Sequence, residues 1–178
     1  MTLEADATVR LIDDRTPATP DDLFRRLDEL GVTFVNHTHA PLFTVEEARS
    51  IRGDLPGCHT KNLFVRDKKQ RMWLLVCEQD TEVRLREVEA VIGSKRLSFG
   101  SPKRLMHYLG VIPGAVNPFA IMNDHSRAVQ VVLDRTILEH EPLNFHPLDN
   151  TMTTAVGAND FLRFLEAEAH PPMIIELP

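Results

Sequence analysis

Cysteine is scarce: Cys58 and Cys77 are the only two in 178 residues. Two thiols build neither a disulfide framework nor a zinc pattern. A reducing, cytoplasmic location is therefore expected. No apolar run nears the ~20 residues of a membrane-spanning helix, so no membrane partner is expected. The opening stretch MTLEADATVRLIDDRTPATP is acidic and lacks the apolar centre of a signal peptide. G-x-S-x-G, the P-loop and G-x-G-x-x-G are all missing, which removes the usual serine-nucleophile and nucleotide signatures. Internal repeats and low-complexity tracts are missing too.

An excess of positive charge is also lacking. The net charge is −6, which argues against a protein that coats duplex nucleic acid, and DNA is not an expected partner. The basic residues are unevenly spread, however. Residues 61–104 hold eleven of the twenty Lys and Arg but only six of the twenty-six acids, so this segment is +5 and the remainder −11. Lys68, Lys69, Lys103 and Arg104 in this block are candidates for meeting a short piece of phosphate backbone, and a solvated face is the plainer alternative.

What is present reads as one α+β domain over residues 19–178 around a mixed sheet, preceded by a loose arm over 1–18. Thr19-Pro20-Asp21-Asp22 carries helix-start chemistry, and Leu23, Leu27 and Leu30 follow at helical spacing up to Gly31. Thr44 and Glu47 form a capping box for a helix that stops near Gly53. Asn62–Arg66 and Arg71–Glu78 flank Asp67-Lys68-Lys69-Gln70, which predicts a hairpin. Helices are predicted over Val83–Ile92, from Ser101-Pro102 to Gly110, and over Ala158–Ala169. Strands are predicted over Val32–Val35, Arg96–Phe99, Val129–Asp134, Phe145–His146, Thr151–Val156 and Met173–Leu177. The loop from Val111 leads into a further strand.

Several stretches bear on chemistry. His37 and His39 share a face on a strand, but no nearby Cys or His pair completes a ligand set, so no metal is expected. Cys58-His59 pairs a nucleophile with a base, yet neighbours on an extended chain point to opposite sides. Lys61-Asn62 stands at the mouth of the apolar run Leu63-Phe64-Val65, where a lysine either ends a loop or meets an anion. Gly114-Ala-Val-Asn-Pro118 combines a residue that permits close backbone approach with one that stiffens the far side. Asn144-Phe-His-Pro147 holds His146 in extended backbone before a proline.

Together these pieces resemble the YbaK/ProX family of prolyl-tRNA editing proteins, relatives of the insertion editing domain of bacterial prolyl-tRNA synthetase. The matching residues are His39 with Thr44-Val-Glu-Glu-Ala48, Lys61-Asn-Leu-Phe-Val65, Gly114-Ala-Val-Asn-Pro118 with Phe119 and Asn123-Asp124, and Asn144-Phe-His-Pro147 with Asn150 and Thr153. The resemblance runs from about residue 20 to the C-terminus. It implies a largely antiparallel mixed sheet flanked by helices. It implies hydrolysis of the ester joining a wrong amino acid, alanine in the ProX branch, to tRNA for proline, with no cofactor. The expected partners are the aminoacyl-tRNA acceptor end and prolyl-tRNA synthetase. Lys61, Gly114 and His146 would form the catalytic site, with Lys61 at the ester or the terminal adenosine. Asn62, Pro118 and Asn150 would bind substrate. Removal of cysteine or serine instead, or a non-catalytic module that holds tRNA or a synthetase, remain the alternatives.

Overall fold

The computed structural model describes residues 9–42, 44, 46–47, 49–50 and 55–178. Helix α1 (Pro20–Glu29) begins with a reciprocal cap. The Thr19 hydroxyl accepts from the Asp22 N–H, and the Asp22 carboxylate accepts from the Thr19 N–H at 2.9 Å. Leu23 and Leu27, one turn apart, are fully buried. Thr44 and Glu47 exchange the same kind of bonds, at 3.0 and 3.1 Å. The end of the helix they open, predicted near Gly53, lies outside the described residues.

Eight strands share one sheet: β1 (Phe34–Thr38), β2 (Cys58–Arg66), β3 (Met72–Glu78), β4 (Ser98–Phe99), β5 (Val129–Asp134), β6 (Leu143–Phe145), β7 (Met152–Val156) and β8 (Met173–Ile175). Their order is β1-β7-β6-β2-β3-β5-β8, with β4 beside β2. Four pairings are antiparallel and three parallel, so the predicted mixed sheet is present. Helices α2 (Leu85–Ile92), α3 (Pro102–Leu109) and α4 (Ala158–Ala167) flank the sheet in a single α+β domain.

Alternation along β3 divides the core. Met72, Leu74 and Val76 face a large cluster with α1, α3 and α4, while Trp73 and Leu75 face a smaller one with Val88 and Ile92 of α2. Phe119 sits at the centre of the large cluster, edge-on to Phe145 at 5.5 Å and to Phe164 at 5.3 Å. Residues 9–18 lie against this body. Leu11 is buried, the Ile12 N–H donates to the His107 carbonyl, and the Ala18 N–H donates to Asn123 Oδ1.

The first strand is displaced from Val32–Val35 to Phe34–Thr38 and the sixth from Phe145–His146 to Leu143–Phe145, and two further elements differ for identifiable reasons. β2 begins at Cys58, ahead of the apolar run, because β6 and β3 both supply partners for its polar start. The chain after Gly114 does not enter a strand directly. Pro118 instead starts a 3-10 helix (Pro118–Asn123), capped by Asn117, whose Oδ1 accepts from the Ala120 N–H at 3.1 Å.

β2 is the element that makes a site. Its whole length from Thr60 to Arg66 pairs with β3 on one edge. On the other edge, β6 pairs only with Cys58-His59 and β4 only with Val65-Arg66. Between these contacts the edge stands open around Asn62. The fork is pinned at Gly57, where φ is +99° and a Cβ would fall 2.2 Å from the Pro142 carbonyl oxygen. Only glycine fits there without moving the backbone. Gly57→Ala is accordingly expected to destabilise the fold by roughly 3 kcal/mol. Denaturant unfolding measures this, and an unchanged midpoint would contradict it.

Candidate active site

The open edge of β2 forms one wall of a cleft of about 190 Å³, lined by Thr60, Lys61, Asn62, Gly114, Val116 and His146. Sequence reasoning placed Lys61, Asn62, Gly114 and His146 together, and the fold brings all four to this cleft. Backbone directions along β2 follow from its end contacts. The Cys58 N–H donates to Pro142 and the Phe64 carbonyl accepts from Gly100, both on the open edge. Residues of the same parity, Thr60 and Asn62, therefore turn their N–H and carbonyl groups toward the cleft. No strand pairs with the Asn62 N–H among the described residues.

Lys61 has the opposite parity. Its side chain shares the sheet face of Leu63 and Val65, and its ammonium donates to the carbonyl of Thr81, in the turn after β3. Thr81 does not line the cleft. Lys61 thus borders the cleft while its charge is tethered to that turn.

Gly114 is at the tip of the opposing loop. Val111 and Ala115 anchor the loop in the core, and the Ala115 N–H donates to the Ile112 carbonyl at 3.1 Å. At φ +90° Gly114 holds a conformation that other residues adopt only with strain. A Cβ there would meet only Asn150 Nδ2, at 3.9 Å, which places Asn150 beside this tip. Pro118 is buried at the start of its 3-10 helix and holds the loop without lining the cleft. Asn123 and Asp124 of the same motif are structural. Asn123 donates to the Leu109 carbonyl, and Asp124 accepts from the Val129 N–H and faces His170.

His146 follows β6 and is half-buried. Its Nδ1 lies 2.9 Å from the Met152 carbonyl, which can only accept, so Nδ1 carries the proton. Burial holds the imidazole below its ordinary 6.5, so at neutral pH the ring is uncharged and Nε2 keeps a free lone pair. His39 stands 6.3 Å away, ring centre to ring centre. Its Nδ1 faces the Ala40 carbonyl, so its Nε2 accepts from the Thr153 hydroxyl at 2.8 Å.

A smaller and more enclosed inner hollow of about 50 Å³ shares Thr60, Asn62 and His146 with the cleft. Leu42, Phe145, Asn144 and Thr153 add to its walls. The Asn62 amide makes no hydrogen bond among the described residues, and neither its Oδ1 nor that of Asn144 has a partner. Asn144 and Thr153 line this hollow, with His39 bonded to Thr153 beside it; the motifs contained all three, and spacing had marked only His39.

Cys58-His59 does not form a dyad. Burial pushes the Cys58 thiol up to about 11, and its sulfur faces the core. No group of three His, Cys, Asp or Glu suited to a metal occurs among the described residues. Lys68 and Lys69 are at the β2-β3 turn. Arg104 of α3 reaches the same turn through Gln70 at 2.6 Å, with Lys103 exposed beside it. The four cations thus share one end of the hairpin, six residues and roughly 20 Å along the strand from Lys61.

Residues 39–164 match the family model described as Aminoacyl-tRNA editing domain. The chain is 35% identical over 153 residues to the prolyl-tRNA editing protein ProX of Acetoanaerobium sticklandii, spanning 85% of this chain and 93% of the relative. It is also 35% identical to prolyl-tRNA synthetase associated domain-containing protein 1 of Danio rerio, over 88% of each. Among solved structures, a hypothetical protein superposes with a TM-score of 0.70 at 15% identity, over 87% of this chain and 97% of the other. A proposed trans-editing enzyme for prolyl tRNA synthetase superposes at 0.66 and 15%, over 91% of this chain and 98% of the other. At that identity the two structures establish likeness of fold.

Proposed function

Because the chain belongs to the aminoacyl-tRNA editing domain family, and so is a deacylase, we propose that it acts in trans on mischarged tRNA for proline and removes alanine. The observation that carries the mechanism is the His146 ring, its proton fixed on Nδ1, facing the open edge of β2.

In this reading the terminal aminoacyl ester enters between β2 and the Gly114 loop. A water donates a hydrogen bond to His146 Nε2 and attacks the ester carbonyl carbon. The proton passes to Nε2 as the C–O bond to water forms. The Asn62 N–H on the open edge donates to the carbonyl oxygen as it gains negative charge, a contact worth most in a partly dry site. Collapse breaks the bond to the ribose oxygen, which takes the proton from His146. Free alanine and uncharged tRNA leave. The vicinal ribose hydroxyl lies close enough to the ester to help orient the water.

The size of the inner hollow supports alanine. A synthetic site built for proline rejects a smaller amino acid by only about 1–3 kcal/mol per methylene, so a second, smaller site is needed to remove it. The alanyl methyl fits against Leu42 and Phe145, where a pyrrolidine ring has too little room. Lys68, Lys69, Lys103 and Arg104 would meet acceptor-stem phosphates beyond the cleft. Prolyl-tRNA synthetase is the natural source of the mischarged substrate.

The test is incubation with alanyl-, seryl-, cysteinyl- and prolyl-tRNA for proline, following ester loss. Alanine should be released fastest and the prolyl ester spared. Loss of no ester above the buffer rate would overturn the reading in favour of a binding module.

A further inference from the structure

Almost every aromatic ring of the chain is turned inward. Among the described Phe, Tyr and Trp residues only Phe99 is exposed, with 62% of its surface open to solvent. The ring does not hang on a loose loop. Phe99 pairs with Val65 across β4 and β2, and the next residue, Gly100, donates its N–H to the Phe64 carbonyl at 2.9 Å. A Cβ on Gly100 would fall 2.5 Å from the Phe64 ring, so glycine lets the chain press close to β2 here. Ser101 then caps α3, its hydroxyl accepting from the Arg104 N–H at 3.1 Å. Backbone held on both sides gives the ring a fixed base.

Its place in the sheet is informative. Directly opposed residues of an antiparallel pair project to the same face. Val65 shares its face with Leu63 and Lys61, so Phe99 stands on the Lys61 face, where Leu63 is itself only partly buried. β4 also closes the far end of the open edge. Phe99 is therefore roughly 10 Å along β2 from Asn62 in the cleft. Beyond it come cations. From residue 90 to residue 123 the chain carries Lys95, Arg96, Lys103 and Arg104 and no Asp or Glu. Lys95 and Arg96 line one hollow with Lys68 and Lys69 of the hairpin turn. The two acids of that hollow are engaged, Asp67 with Arg71 and Glu89 with the Leu97 N–H.

We propose that Phe99 is a stacking platform for an unpaired base of the tRNA 3′ end, just before the terminal adenosine. The inference rests on the deacylase reading and adds the route by which the strand reaches the cleft. With the ester between β2 and the Gly114 loop, the phosphates run toward the cations at the hairpin end, and the unpaired nucleotides cross β4 on the way. A lone exposed apolar residue needs no explanation elsewhere. This one is a rigid aromatic on the line from cleft to cations. A base laid on the ring removes apolar surface of both from water, and every base has a face that can do so. The cations attract the strand without fixing its position. The ring fixes it, and so sets how far the terminal ester reaches along β2.

The experiment measures binding of uncharged tRNA for proline, by fluorescence anisotropy, to wild type, Phe99→Ala, Phe99→Leu and Phe99→Tyr. It is repeated with a tRNA whose two nucleotides before the terminal adenosine are abasic. Phe99→Ala and Phe99→Leu should each raise Kd about 10-fold, the scale of one lost base stack, and Phe99→Tyr should stay near wild type. The abasic tRNA should bind wild type about 10-fold more weakly, and Phe99→Ala should weaken it no further. The salt dependence of binding should keep its slope, because no phosphate contact is removed. Tm, read in parallel, should hold, because the ring is exposed. Equal Kd for wild type and Phe99→Ala would overturn the inference and leave the deacylase reading standing. The same loss on intact and abasic tRNA, or a Phe99→Leu protein with wild-type Kd, would also overturn it. A wild type that neither binds tRNA nor releases alanine would overturn both. Loss of self-association in Phe99→Ala by sedimentation, with tRNA affinity unchanged, would assign the ring to a second copy of the chain and overturn the proposal.

Discussion

Replacing His146 by alanine is expected to slow alanyl-tRNA hydrolysis by about 10²–10⁴-fold, the usual range for losing a general base. The expectation follows from where the proton sits. The Met152 carbonyl fixes it on Nδ1, and burial opposes a second one. The ring is therefore a neutral acceptor at physiological pH, and no rearrangement is needed before it takes a proton from water. Single-turnover rates, free of product release, are the proper measure. A folded His146→Ala protein with the wild-type rate would remove the residue from the chemistry.

The same ring sets a pH signature. Burial lowers the folded-state value of His146 beneath its ordinary 6.5, with the nearby His39 acting in the same direction. In the unfolded chain the ring takes a proton near 6.5, and in the folded chain only at lower pH. Stability from keeping it neutral is thus present above about 6.5 and is lost as pH falls through the lowered value. The acid limb of the rate profile should fall in the same window, below 6.5. His146→Ala should flatten both the acid limb of the residual rate and this part of the stability curve. An acid limb centred above 6.5 would assign the rate to another group.

Much of the architecture was legible because it depends on local chemistry. The Thr19 cap, the Leu23 and Leu27 stripe, the Gly93 and Gly110 helix ends and the hairpin around Asp67–Gln70 all follow from neighbours in sequence. The start of β2 does not. Cys58, His59 and Thr60 have no strong strand pattern and extend because β6, more than eighty residues later, pairs with them. The site was legible as a set of motifs, and Lys61, Asn62, Gly114 and His146 do converge. Their division of labour was not. Parity along β2 decides that Asn62 offers its backbone to the cleft while the Lys61 side chain crosses to the other face, and parity depends on which edge is paired. Asn144 was hidden for a different reason. Its amide nitrogen donates to the carbonyls of Pro56 and Cys58, and that pairing is a property of the fold.

Lys61→Ala is expected to lower the hydrolysis rate by about 10²–10³-fold, the scale of one preorganised electrostatic contact. Its ammonium has three N–H bonds, and the Thr81 carbonyl takes one. The remaining two, on a flexible four-carbon stem at the cleft border, are free to turn toward a bound tRNA end, whose terminal phosphate and developing oxyanion both attract it. The tether also has a structural side. It joins the middle of β2 to the turn after β3, and Gln79 in that turn lines the inner hollow. Truncation to alanine removes charge, tether and packing together, so Lys61→Met is the needed companion, since it keeps the apolar stem. If charge is what matters, both variants lose rate alike while Tm changes little. Lys61→Arg restores only part of the rate, because a planar guanidinium cannot occupy the place of a compact ammonium. If the tether alone matters, both variants instead lower Tm and raise KM with kcat preserved. A Lys61→Met protein with wild-type kcat would take the charge out of the mechanism and leave Lys61 as a brace for the turn.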